Sequence, residues 1–288
     1  MSTPRSIKKV IYAQQVNMGG HLLDQALPMQ GVDQIDPYLL IHHWAEVMPG
    51  GQKQSAVGVG PHPHRGFAPV TYIFEGGIHH RDSLGNSSIV SQGGSQWMHS
   101  GHGIVHSERP TKELAETGGK FEFLQIWINT PSSNKMTEPF YLPLNKKDVP
   151  ELKKEGITIG VFSGKLNGLK GKANYGSPLT TARFELDAGK SYTFELERTQ
   201  NLAIYQLNGK LKINGQETLA KALTWLDNDG EMVTIEALED TRGMILGGAP
   251  IGEPVSTYGP FVMNTQKEIM KAINDFQSGK MGVLKETF

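Results

Sequence analysis

"GPHPHRGF", residues 60–67, sets His62 and His64 two apart around Pro63 and just ahead of Arg65 and Gly66. On an extended backbone, residues i and i+2 point to one face, so both imidazoles look the same way. In a chain with ten histidines such a pair arises easily by chance, and its meaning depends on a second stretch. That stretch is "GHGIVHSE", residues 101–108, where His106 and Glu108 repeat the spacing. Two strands of this kind, each turning a pair of side chains inward, bring three imidazoles and one carboxylate to a single centre. The set suits a moderately hard or borderline divalent ion: iron, manganese, cobalt, nickel, copper or zinc. Pro63 cannot donate to a sheet ladder, which places the first pair on a strand edge or loop near a barrel mouth. Gly101 and Gly103 permit a tight turn before the second pair.

Every histidine lies between His21 and His106, and residues 107–288 contain none. Histidine chemistry therefore belongs to the first half of the chain. Cysteine is absent, which excludes disulfides, thiolate metal sites and a thiol nucleophile. Lys plus Arg (28) nearly balances Asp plus Glu (29), so no global field draws the chain to nucleic acid or an anionic membrane. No apolar run reaches the roughly 18 residues of a membrane span, and the first residues lack the apolar core of a secretory signal. The expectation is a soluble cytoplasmic protein that contacts neither membrane nor nucleic acid directly.

Around the two histidine stretches the chain reads as short strands between glycines. Val70, Tyr72 and Phe74 alternate with Thr71 and Ile73 before Gly76-Gly77. Further runs fall at Ile78, Ile89-Val90, Gln96–Met98, Ile104–His106 and "KFEFLQIWIN", residues 120–129. This spacing predicts an all-β sandwich or barrel. Four prolines and a lysine-rich stretch break the pattern between Thr130 and Gly156. The reading is thus an N-terminal metal-binding domain over 1–130, a linker over 131–155 and a second β domain over 156–288 that includes a C-terminal helix. Tyr72 and Gly76 in "VTYIFEGG" match Tyr205 and Gly209 in "LAIYQLNG", and the positions of His62 and His64 then fall on Glu195 and Glu197. The second copy keeps the hairpin and lacks the metal site. Thr265 with Glu268 forms a capping box, Ile269, Ile273 and Phe276 an apolar face, and Gly279 a stop, predicting a helix over 266–278. Among the other histidines, His80 with Asp82 reads as a bracing pair near the ligands, His99 and His102 as lining the entrance, His42-His43 as a half-buried pair and His21 as surface.

At these residues the sequence resembles the pirin family of the cupin superfamily. The resemblance rests on "HPHRGF", "EGG" followed by "HRDSLG", "QWMHSGHGIVHSE", "WIN" with "KMTEPFY", and "GPFVMNTQKEI", in order along most of the chain. It implies two cupin-type jelly-roll β-barrels in tandem with a mononuclear metal in the first only. By position, His62, His64, His106 and Glu108 match the family's metal ligands, usually for ferrous iron. Many cupins carry a glutamate four or five residues after His-x-His; here Ala68 and Pro69 stand there, so Glu108 supplies the carboxylate. Gly101 replaces the proline common before the last histidine.

The resemblance further implies a quercetinase-type dioxygenase that opens the central ring of flavonols with dioxygen and releases carbon monoxide. In that reading Glu108 is both ligand and base, the substrates are a flavonol-like small molecule and O2, and Phe67 and Trp97 are apolar residues near the site, each more often a core-packing residue than a stacking surface. The alternative it implies is a non-enzymatic, metal- or redox-responsive regulator acting through a protein partner.

Overall fold

The computed structural model describes residues 2–174 and 177–288. The chain is all-β with short helices, and it divides into two compact units that interleave in sequence. One comprises residues 1–43 with 147–250, the other residues 44–146 with 251–288. The segments 1–130 and 156–288 are therefore divisions of the chain by composition, and not the outlines of these units. The physical reason lies in strand pairing. The strand Ile7–Tyr12 pairs antiparallel with Ala222–Leu226, more than two hundred residues later.

In the first unit a seven-stranded antiparallel sheet runs Ile7–Tyr12, Ala222–Leu226, Asn201–Gln206, Thr241–Gly248, Leu179–Leu186, Ile157–Ser163, Glu151–Lys154. A four-stranded sheet, ordered Ser191–Glu195, Met232–Ala237, Lys210–Ile213, Gln216–Leu219, accompanies it. One apolar cluster draws on both sheets: Val161, Phe184, Phe194, Leu202, Ile204, Leu211, Ile235 and Ile245 are all buried in it. Close packing of aliphatic and aromatic side chains fills this interior and leaves it without ligand atoms. Glu195, the counterpart of His62, sits at an exposed position of its strand. The internal repeat is visible in the backbone. Tyr72 and Tyr205 are both buried within strands, and Gly76 and Gly209 each follow with φ of 72°.

The second unit has the same two-sheet plan. Its four-stranded sheet is ordered Val59–His64, Ile104–Pro110, Gly77–Asp82, Ser87–Ser91. Facing strands are Phe140–Leu144, Ser95–His99, Phe67–Glu75 and Gly119–Asn129, in that order. Val59–His64 is an edge strand, where Pro63 costs no ladder bond. Pro143 lies likewise on Phe140–Leu144, which pairs with Ser95–His99 at one end of its sheet row. The stretch read as a linker thus supplies one strand to this unit and another, Glu151–Lys154, to the first.

The C-terminal helix spans Gln266–Gln277. Thr265 Oγ1 accepts from the Glu268 N–H at 3.3 Å, and the Glu268 carboxylate reaches back to the Asn264 N–H at 3.2 Å. Its end is a Schellman turn: the Lys280 N–H bonds the Asp275 carbonyl and the Gly279 N–H that of Phe276, both at 2.9 Å, with Gly279 at φ 76°. Ile269 and Ala272 bury against Val105, Phe261, Met263 and Met281, in the unit that carries the paired histidines. Phe276 is 39 % exposed, so the buried face is narrower than the expected stripe. A second, six-residue helix, Lys112–Thr117, follows its N-cap Thr111. No helix among the described residues is long and apolar enough to cross a membrane.

His42 and His43 are fully buried rather than half-buried, at 8 % and 0 % exposure. His42 Nε2 donates to Gln25 Oε1 at 2.9 Å, and burial lowers its pKa to about 4. Unfolded, the same imidazole titrates near 6.5. Between those values the unfolded chain binds more protons than the folded one, so stability is complete above pH 6.5 and falls as pH drops toward 4. The loss expected from this group is about 3 kcal/mol. Denaturant unfolding across that range should show a flatter slope for His42→Gln than for the unsubstituted chain. Equal slopes would refute the assignment.

Candidate metal centre

The second unit's edge pairing assembles the site. In the antiparallel register His106 stands opposite His62, and Ile104 opposite His64. Directly opposed residues share a face, and the i, i+2 rule adds His64 to it. The ring centroids of His62 and His106 lie 4.3 Å apart, those of His62 and His64 4.7 Å, and those of His64 and His106 4.9 Å. One nitrogen from each comes within 4.8 Å of the other two.

The outward nitrogens are committed. His62 Nδ1 donates to the Gly60 carbonyl at 2.8 Å and His64 Nδ1 to the Pro260 carbonyl at 3.2 Å. Both rings therefore keep the Nε2 lone pair free. Burial holds His64 and His106 well below the ordinary imidazole pKa, with the neighbouring rings adding to the effect, so neither is protonated at neutral pH. His106 Nε2 is buried and has no hydrogen-bond partner among the described residues. Leaving such an atom unpaired costs about 1–3 kcal/mol, which a ligated ion removes. Three imidazoles, one with an orphaned Nε2 and two with the outward nitrogen committed to a carbonyl, form a donor set that fits a divalent metal.

Glu108 lies two residues beyond His106 on the same strand, but its carboxylate is not within the group of mutually close ligand atoms among the described residues. It is taken up by donors from the facing sheet. Thr71 Oγ1 donates to Oε1 at 3.2 Å, Gln96 Nε2 donates to the same oxygen, and Gln125 Nε2 donates to Oε2 at 2.6 Å. Tyr141 completes the network by donating its hydroxyl to Gln96 Oε1 at 3.1 Å. Burial raises the Tyr141 phenol above its ordinary pKa and keeps it a donor.

Behind His106 stands the pair read as a brace. His80 Nε2 donates to Asp82 Oδ2 at 2.9 Å, and His80 Nδ1 faces His106 Nδ1 at 3.5 Å. The Tyr141 ring stacks on His80 with centroids 3.8 Å apart and planes 2° from parallel. Burial raises the Asp82 carboxyl, but hydrogen bonds from His80 and Asn86 outweigh it and leave the group below its usual value, ionised.

Other expected residues lie elsewhere. His99 bonds Thr137 Oγ1 at 2.8 Å and His102 bonds Glu138 Oε2 at 3.1 Å, so both hold the 137–138 loop. His21 is half-buried at the start of His21–Leu27. Phe67 is beside His64, at 5.0 Å between centroids. Trp97 instead packs edge-on against Tyr72 and bonds Ser95, in the core. The indole near the triad is Trp127, 5.6 Å from His64 and 4.3 Å from Phe67.

The end of the strand carrying the first pair of histidines is clamped. Arg65 Nε donates to the His102 carbonyl at 2.6 Å and Arg65 Nη1 to Asp275 Oδ2 at 2.9 Å, which ties it to the C-terminal helix. Buried Lys135 donates to the Gly66 carbonyl at 2.6 Å and to Asn129 Oδ1 at 2.7 Å.

With this geometry in place, comparison with known proteins is specific. Residues 20–128 match the pirin family model, and residues 181–282 match that of the pirin C-terminal cupin domain. A putative quercetin 2,3-dioxygenase of Pseudomonas aeruginosa is 36 % identical over 250 residues, 85 % of this chain and 86 % of that protein. Human pirin is 35 % identical over 254 residues, 86 % of this chain and 83 % of its own length. Among solved structures, quercetin 2,3-dioxygenase from Acinetobacter baumannii superposes with a TM-score of 0.91 at 34 % identity, covering 98 % of this chain and 100 % of that one. The fold is shared at lower identity by the Escherichia coli pirin YhhW in complex with nickel(II), with a TM-score of 0.63 at 21 % identity over 84 % of this chain and 99 % of that one.

The geometry predicts one ion per chain on titration with nickel(II) after chelator treatment. His106→Ala should lower the affinity by at least about 100-fold, while His99→Ala should leave it unchanged. Elemental analysis with a competition titration reads both, and undiminished binding by His106→Ala would contradict the site.

Proposed function

This chain belongs to the pirin family, and on that premise we propose that it is a metal-dependent dioxygenase of the quercetinase type, opening the central ring of a flavonol with O2. The observation that carries the reading is the meeting of three imidazoles with an orphaned His106 Nε2, next on the strand to a carboxylate held by amide donors. The quercetin 2,3-dioxygenase names of two relatives at 36 % and 34 % identity support it.

In this reading His62, His64 and His106 hold the ion, and Glu108, whose carboxylate lies outside that close group, matches the family's fourth ligand by position. Ferrous iron is the proposed occupant, and the same donors accept zinc, nickel, manganese, cobalt or copper. When bound, the ion supplies a Lewis acid that acidifies a substrate hydroxyl. Glu108 receives that proton. Its three neighbours, Thr71, Gln96 and Gln125, all donate to it, and so present the carboxylate as an acceptor. Tyr141 fixes the amide of Gln96 by donating to its oxygen, which aims the nitrogen at Glu108. Half-buried Trp127, beside His64 and backed by the buried Phe67, offers flat apolar surface on which the substrate's aromatic rings stack.

Anaerobic loading with ferrous iron, followed by quercetin absorbance on admitting air, tests the proposal. Quercetin loss should track bound iron and vanish in His106→Ala. Glu108→Gln should slow turnover by about 100-fold or more. A fully loaded protein that turns over no flavonol would sink the dioxygenase reading and leave the regulatory one, in which a protein partner distinguishes the ferrous from the ferric form.

A further inference from the structure

We propose that Asp82 and His80 are positioning residues that dictate the tautomer of His106 through a one-way chain of hydrogen bonds. The inference rests on the reading that the triad holds a metal. All three side chains are buried, at 2 % exposure or less.

The direction of the chain is fixed at its far end. Asp82 ends the strand Gly77–Asp82 and faces the turn that follows, and both of its oxygens are engaged. Oδ1 accepts from the Leu84 N–H at 3.0 Å and the Asn86 N–H at 3.1 Å. Oδ2 accepts from Asn86 Nδ2 at 2.8 Å and His80 Nε2 at 2.9 Å. An ionised carboxylate only accepts, so His80 carries its proton on Nε2 and turns the Nδ1 lone pair toward His106. The stacked Tyr141 ring keeps His80 in that plane.

At 3.5 Å the contact between His80 Nδ1 and His106 Nδ1 is long, and it selects more than it holds. A lone pair on His106 Nδ1 would oppose another lone pair in a buried space. A proton there satisfies both rings and leaves His106 Nε2 bare toward the triad. The unpartnered state of that atom is what this tautomer produces.

The two backbone N–H groups at Oδ1 make the idea testable. In Asp82→Asn they require the amide oxygen at the Oδ1 position, which puts the NH2 group opposite His80 Nε2. The chain then runs backward. His80 becomes protonated on Nδ1, and His106 must carry its proton on Nε2, where the ion would bind. Asp82→Ala removes the carboxylate without reversing anything, and His80 can keep its original tautomer. A purely structural Asp82 gives the opposite ranking, because alanine loses all four bonds whereas asparagine keeps the two backbone N–H bonds at Oδ1.

The experiment is a zinc competition titration on the full chain and both variants. It is paired with 15N spectra of the histidine rings in the zinc-loaded protein. The proposal predicts a proton on His106 Nδ1 in the unsubstituted chain. It also predicts a 10- to 100-fold loss of zinc affinity in Asp82→Asn that exceeds the loss in Asp82→Ala. Affinity in Asp82→Asn within twofold of the unsubstituted chain, or a greater loss in Asp82→Ala, would overturn it. Failure of the unsubstituted chain to bind zinc, nickel or ferrous iron would instead overturn the metal reading on which the inference stands.

Discussion

The antiparallel register between Val59–His64 and Ile104–Pro110 is the constraint on which the site depends. It sets His62 opposite His106. A slip of one residue would turn His106 to the other face of its sheet and dismantle the triad. The structure spends several buried charges on keeping that edge in place. Arg65 anchors the end of the first strand to Asp275, which Lys271 and Lys280 also hold. On the outer side Arg109 pairs with Glu286 at 2.7 Å and donates to the Val57 carbonyl at 2.8 Å. Breaking a buried pair of this kind costs more than the pair contributes, so each clamp discourages sliding more than it adds to net stability.

The two units use one plan for different ends. In the first, Phe184, Phe194, Ile204 and Leu211 close the interior with carbon. In the second, polar side chains replace carbon at the equivalent depth: Thr71, Gln96, His64, His80 and His106 are all buried. Such an interior is stable only if its donors and acceptors are matched. The matching is nearly complete around Glu108 and Asp82. His106 Nε2 is among the buried atoms left unmatched in the described residues, and of the three triad histidines it is the one whose nitrogen is so left.

Much of this was legible in the sequence, and the limits have physical causes. The triad could be read because i, i+2 spacing on a strand is a local rule, and Pro63 marked the edge that Val59–His64 occupies. The C-terminal helix was readable at both ends from Thr265 and Gly279, whose cap geometries are local as well. Partners of Glu108 were not readable. Thr71, Gln96 and Gln125 come from three strands that meet it only across the barrel, and no spacing announces them. Tyr141 was hidden for a different reason: prolines and lysines made its surroundings look like a linker, whereas Pro143 merely confines that strand to an edge. Trp97 packs in the core, and the indole beside His64 is Trp127, because sheet pairing decides which side of a buried strand faces the histidines. Membership of the unit with the paired histidines by the C-terminal helix was equally invisible, since nothing local in Gln266–Gln277 names Val105 as its neighbour.

Anomalous diffraction from crystals grown with nickel(II) or ferrous iron tests the central claim most directly. The account predicts a single ion within about 2.1 Å of Nε2 of His62, His64 and His106. An ion bound instead at His79 and His80, or at His99 and His102, with the triad left bare, would contradict it.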